Sequence, residues 1–176
     1  MPKIFTKSEV LEMIQDAEEP ELKALISVLI STGARVSEVV SLKGKDISSD
    51  EKRIYFNMKV LKKRSDRSKR VIRPVSKKSY FMSFFVDYIN NYAEATPDEP
   101  IFSYTRNSLW RALKRLNPDA HPHKFRHTLA TWMLEKVDMR TAQEWFQWTN
   151  MKTAETYTHP KDAINTFSTK MDEVLE

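Results

Sequence analysis

A chain of 176 residues suffices for one compact domain with a sizeable core and is short for two complete ones. Its 40% apolar content, with 9 Phe, 6 Tyr and 4 Trp, excludes a disordered chain, and no apolar run approaches the roughly 20 residues that span a bilayer. The absence of cysteine excludes disulfides, thiolate metal sites and a cysteine nucleophile, and the N-terminus MPKIFTKSEV lacks the apolar core of a secretory signal, so a cytoplasmic or host-cell DNA-associated location is expected. The net charge of +5 suits a polyanionic partner but also many ordinary enzymes; its distribution says more.

Thr6-Lys7-Ser8-Glu9 forms a capping box, and Val10, Leu11, Ile14 and Ala17 follow with one apolar face, which predicts a first helix. Pro20 opens a second helix whose Leu22, Leu25, Ile26, Leu29 and Ile30 are apolar almost all round, so it should be buried. Gly33, one of two glycines in the chain, is placed for a left-handed cap. Arg35 then stands at the start of a short third helix running to about Leu42, where backbone N–H groups already favour an anion. Glu38, one turn on, can hold its guanidinium; the plainer alternative is an ordinary i,i+3 surface ion pair.

From Asp46-Ile47 the pattern changes to strand. Arg53–Met58 and Arg70–Val75 read as β-runs flanking a turn, giving an antiparallel sheet of two or three strands. Eight Lys or Arg and one acid, Asp66, lie between Lys59 and Arg73, with Lys62, Lys63, Arg64 and Arg67 at the tip. Such a run is either a solvated loop or a cationic hairpin that reaches a phosphate. Ser76 is expected to begin a helix with Phe81, Phe84, Phe85, Tyr88, Ile89 and Tyr92 on a core stripe. Thr105 starts another, with Leu109, Leu113 and Leu116 inward and Arg106, Arg111, Lys114 and Arg115 on its flanks. After Pro122 comes a helix with Phe125, Leu129, Trp132 and Met133 as its core face. Thr141 is expected to cap a short helix carrying Trp145 and Trp148, a further short helix to present Tyr157, and residues 160–176 to form a tail helix that packs on its own domain or on a neighbouring subunit. The fold class expected is mainly α with a small antiparallel β-sheet (α+β), in a single domain over 1–176.

His123 and Arg126 share a helix face, Trp148 supplies an indole N–H, and Tyr157 follows it by nine residues. Guanidinium forks with an N–H donor suit the charge that builds on a phosphodiester in the transition state. A tyrosine hydroxyl, with a reference pKa of about 10, needs a nearby cation or base to become a nucleophile. His123 and His127 also have the spacing of a helical zinc pair, but no Glu follows the first histidine and no Cys exists, so no metal or other cofactor is expected. Taken singly, Tyr157 reads as a surface tyrosine and Trp148 as core.

In combination these residues resemble the catalytic domain of the tyrosine recombinase (phage-type integrase) family from about Thr6 to Pro160. Thr32-Gly33-Ala34-Arg35-Val36-Ser37-Glu38 is similar to its T-G-x-R-x-S-E motif, and His123 through Thr131 to H-x-x-R-H-T-x-A-T. Phe146-Gln147-Trp148 with Tyr157 is similar to its leucine-glycine-histidine and following tyrosine. The resemblance implies that Arg35 and Arg126 grip the scissile phosphate with His123 and Trp148. It implies Tyr157 as nucleophile, forming a 3′-phosphotyrosyl link without metal, and a hairpin lysine as general acid. Lys59 is chosen because it follows the strand run; Lys62 and Lys63 stay open. Tryptophan replaces the usual histidine at 148, and Lys136 and Gln147 stand where the family has glycine. The family's N-terminal core-binding domain is expected to be absent. Double-stranded DNA is the expected partner, with self-association on DNA as a dimer or tetramer. Site-specific recombination or integration is the expected activity; type IB topoisomerase-like relaxation and a catalytically silent DNA-binding regulator are the alternatives.

Overall fold

The computed structural model describes residues 3–60, 69–94, 96–149 and 152–153. Helix α1 (Lys7–Asp16) starts at the expected box: Thr6 Oγ1 accepts from the Glu9 amide at 3.1 Å and Glu9 Oε2 from the Thr6 amide at 2.7 Å. Helix α2 (Pro20–Thr32) is buried along nearly its whole length from Leu22 and forms the centre of the molecule. Gly33 ends it with φ 61° in the left-handed region. A β-carbon there would lie 2.4 Å from Phe146 Cε1, so both backbone and packing require glycine. Helix α3 (Val36–Val40) follows at once, two residues shorter at its end than the sequence suggests.

A single 3₁₀ turn, Gly44–Asp46, leads into β1 (Ile47–Ser49), β2 (Arg53–Val60) and β3 (Lys69–Ser76), an antiparallel sheet in that order. Period-two alternation buries Ile54, Phe56, Met58 and Val60 of β2, and the register sets Phe56 opposite Arg73 and Lys59 opposite Arg70. Arg70 donates through Nε to Asn57 Oδ1 at 3.1 Å and pairs with Asp46, tying the base of the hairpin to the preceding turn.

Helix α4 (Tyr80–Asn91) has Ser79, not Ser76, as its N-cap, because Ser76 is still paired with Arg53 in the sheet. Phe81, Phe85 and Tyr88 are core, with Phe85 5.1 Å from Phe56 and the Tyr88 hydroxyl donating to the Ile101 carbonyl at 2.7 Å. Tyr92, expected on the same stripe, is the C-cap with φ −130° and is exposed. Helix α5 (Arg106–Leu116) is capped by Thr105 and buries Leu109, Ala112 and Leu113. Helix α6 (Pro122–Leu134) packs Phe125 against Phe5, with ring centroids 5.1 Å apart. Helix α7 (Met139–Phe146) is capped by Asp138, whose carboxylate accepts from the Thr141 amide and hydroxyl at 2.9 and 2.7 Å, so Thr141 is a partner in the cap and not the cap itself. Trp148 therefore lies beyond this helix. Among the described residues, no helix is long and apolar enough to cross a membrane.

Candidate active site

The end of α2 is the point on which the candidate residues converge. Arg126 comes from the second turn of α6 and is buried, with 3% of its surface exposed. Its Nη1 donates to the Gly33 carbonyl at 2.7 Å and its Nη2 to the Phe146 carbonyl at 2.5 Å. One guanidinium thus spans two chain segments, one running into Arg35 and the other into Trp148. Its Cζ lies 4.9 Å from the Phe146 ring centre, a cation–π contact that fixes the plane of the fork. A guanidinium carries further N–H groups beyond those two.

Arg35 sits at the N-cap of α3, where Glu38 holds it twice. Glu38 Oε2 accepts from the Arg35 amide at 2.8 Å and Oε1 from Arg35 Nη1 at 3.3 Å. This is no surface pair: the Glu38 side chain is 2% exposed while Arg35 is 41% exposed, so a buried acid braces a cation that faces outward.

His123 stands one turn before Arg126 on α6, its ring 4.3 Å from that of His127 in an edge-on arrangement. The residue is exposed at the surface yet crowded by protein atoms and cations. Desolvation, then His127, Arg126, His121 and Arg35, bring its imidazole down to about 4. The ring is therefore neutral near pH 7 and adds no positive charge, leaving a lone pair that can accept a hydrogen bond. His127 is likewise held below its ordinary value by desolvation, His121 and Arg126. The influence of Arg35 on His123 places these charges in one neighbourhood. A cleft of about 250 Å³ opens beside them, lined by Val36, Arg106, Asn107, Trp110 and His123.

Trp148 is buried and stacks on Phe146, with ring centroids 4.9 Å apart and planes 17° from parallel. Its amide donates to the Gln143 carbonyl at 3.1 Å, closing the turn after α7. The turn depends on Gln147, whose φ of 55° is the left-handed conformation that the expected glycine would adopt without cost. Gln147 Oε1 also accepts from Lys69 Nζ at 3.2 Å, so its side chain ties the start of β3 to this turn. Lys136, the other position expected to prefer glycine, has no positive φ.

Lys59 lies inside β2 rather than beyond its end, on the exposed side of the strand between buried Met58 and Val60. Among the described residues it makes no hydrogen bond or ion pair with Arg35, His123 or Arg126. The structure thus brings together Arg35, His123, Arg126 and Trp148, and leaves Lys59 on the adjoining sheet. Lys62, Lys63, Tyr157 and the 160–176 tail lie outside the described residues.

One residue with a place in this arrangement was missed from the sequence. Arg73 is wholly buried, its Nη1 3.5 Å from Glu38 Oε2 and its Nε donating to the Trp145 carbonyl at 3.2 Å. The signal was available: Arg73 falls in the same strand phase as Val71 and Val75, a cation on the apolar alternation of β3.

Comparison with known proteins places this arrangement in a family. The Phage integrase family model matches residues 3–163. The chain is 31% identical to a tyrosine recombinase XerA of Thermococcus kodakarensis, over 90% of this chain and 58% of that protein. It is 27% identical to the XerA of Pyrococcus furiosus, over 93% of this chain and 61% of that one. A crystal structure of XerA recombinase superposes with a TM-score of 0.69 at 25% identity, covering 93% of this chain and 62% of that one. The XerH site-specific recombinase, in a pre-cleavage complex with its difH substrate, shares the fold with a TM-score of 0.70 at 21% identity, covering 90% of this chain and 51% of that one. The chain spans about three fifths of the length of the curated relatives it matches. A family model running through both arginine motifs, on a fold that superposes on a solved recombinase, establishes that the chain belongs to the phage integrase (tyrosine recombinase) family.

Proposed function

We propose that this chain carries out DNA strand cleavage and rejoining through a 3′-phosphotyrosyl intermediate, as the catalytic domain of a site-specific recombinase or integrase. The observation that carries the reading is the Arg126 clamp, which holds the segments of Arg35 and Trp148 together beside a neutral His123. Arg35 and Arg126 stabilise charge on the non-bridging oxygens of the scissile phosphate. Neutral His123 accepts a hydrogen bond from the Tyr157 hydroxyl and relays its proton to solvent as Tyr157 attacks phosphorus, the arginines stabilising the charge that forms. The 5′-oxygen departs with a proton from Lys59, and a 5′-hydroxyl reverses the sequence to rejoin the strand. No step calls for a metal ion.

Double-stranded DNA is the substrate, and Arg106 on the rim of the cleft, with Arg111 and Lys114 on the same helix, contributes phosphate contacts. The relatives named above are recombinases, and XerH is described with its difH substrate, which supports recombination over simple relaxation of supercoils. Self-association on DNA belongs to the same reading. Detergent quenching of protein mixed with nicked duplex tests it. A covalent protein–DNA adduct is expected from the wild type and none from Tyr157→Phe; an adduct in neither, with DNA still bound, contradicts the enzyme reading in favour of a silent DNA-binding module.

A further inference from the structure

A wholly buried arginine is costly unless its charge and its donors are used. Arg73 stands in β3 where the alternation calls for an apolar side chain, beside buried Val75. Its fork meets three different elements. Nη1 lies 3.5 Å from Glu38 Oε2, the same carboxylate oxygen that accepts the Arg35 amide, while Oε1 accepts from the Arg35 side chain. Nε donates to the Trp145 carbonyl at 3.2 Å, next to the Phe146 carbonyl held by Arg126. Nη1 also points at Met58 Sδ, 3.2 Å away, on the strand residue before Lys59. Nη2 has no hydrogen-bond partner among the described residues. Burial lowers the hold of the guanidinium on its proton, and the charge of Glu38 offsets part of that cost.

We infer that Arg73 is a positioning residue: it locks the Arg35-bearing start of α3 and the turn leading to Trp148 onto the sheet that carries Lys59. Without it, Glu38 keeps one cationic partner instead of two, and the Trp145 carbonyl loses its donor. The two sides of the phosphate grip are then free to shift relative to the sheet. Arg73 is wholly buried and so acts through Glu38 and the end of α7. This inference rests on the cleavage reading for its consequence, but not for its geometry.

Arg73→Lys keeps the charge and removes the fork, since one ammonium cannot serve Glu38 and the Trp145 carbonyl together. Arg73→Gln keeps a donor and removes the charge, and serves as a second variant should the lysine fail to fold. Two readouts separate the claims. Amide hydrogen exchange, which needs no DNA, is expected to quicken about tenfold across Arg35–Val40 and Trp145–Trp148 while α1 and the centre of α2 are unchanged. Single-turnover adduct formation per folded molecule, the folded fraction being set by thermal melting, is expected to slow about 10–100-fold with DNA affinity held within about twofold. Unchanged exchange in both segments overturns the positioning role, as does an unchanged cleavage rate in a variant of wild-type stability. A wild type that forms no adduct overturns the cleavage reading instead, while the exchange measurement still decides the role of Arg73.

Discussion

Arg126 and Gly33 lie 93 residues apart in the chain and meet through a 2.7 Å hydrogen bond from Nη1 to a helix-end carbonyl. The contact joins two separate sequence features into one piece of machinery. Gly33 supplies the carbonyl at the left-handed cap of α2, and the bond to it helps to fix the orientation of the Arg126 guanidinium. The stability of the α2 cap and the geometry of the candidate site are therefore the same property.

Gly33→Ala is expected to damage both. The added β-carbon meets Phe146 Cε1 at 2.4 Å and Leu129 Cδ2 at 3.1 Å, and alanine disfavours a φ of 61°. Loss of about 1–3 kcal/mol in urea unfolding is expected, together with reduced adduct formation by the protein that remains folded. Wild-type stability in this variant would contradict the cap argument.

Arg126→Lys retains the positive charge but cannot bridge the Gly33 and Phe146 carbonyls as a planar fork does. Cleavage is expected to fall by roughly 10²–10³-fold, with a lowered melting temperature because two buried carbonyls lose a charged donor. A lysine variant that cleaves within a few-fold of wild type would show that charge alone suffices.

Lys59 is distinguished from Lys62 and Lys63 by substrate chemistry. Lys59→Ala should slow cleavage by roughly 10²–10⁴-fold, the usual contribution of a general acid. A duplex with sulfur in place of the 5′-bridging oxygen, whose thiolate leaves without a proton, should restore most of that rate. Restoration confined to Lys62→Ala or Lys63→Ala would move the acid off the strand and onto the hairpin tip.

Acid should destabilise the fold well above the carboxylate range. His121, His123 and His127 are all held below 6.5 in the folded protein, His123 at about 4, with desolvation the first cause in each. The unfolded chain therefore binds more protons as pH falls below about 6.5, and the contribution of these neutral rings is lost progressively down to about pH 4. Thermal melting should show a falling midpoint between pH 7 and pH 5, made shallower by His123→Gln. A flat profile over that interval would contradict the shifts.

Much of this was legible in the sequence because it depends on local chemistry. The Thr6–Glu9 box, the Gly33 cap and the buried α2 are each dictated by a few adjacent residues, and the structure contains all three. The pairing of Arg35 with Glu38 was legible too, but its burial was not, because the acid is covered by Arg73 from a strand 35 residues away. Boundaries failed where two neighbours can play one role: Asp138 outcompetes Thr141 as a cap because its carboxylate reaches both the amide and the hydroxyl of Thr141. Lys59 was expected just past a strand and lies within it, since pairing with Arg70 extends β2 by two residues. The glycine-like turn at Gln147 was anticipated only as a departure from the family pattern. Its left-handed φ is one that glycine adopts without cost, so the local backbone tolerates either residue type at different strain.

The most direct test of the account is to identify the atom through which DNA becomes attached. Protein trapped on a nicked duplex is digested with trypsin and nuclease, and the modified peptide is sequenced by mass spectrometry. A 3′-phosphate-linked nucleotide is expected on the Tyr157 hydroxyl, lost in Tyr157→Phe and strongly reduced in Arg126→Lys. Attachment to any other residue, or through a 5′-phosphate, would contradict it.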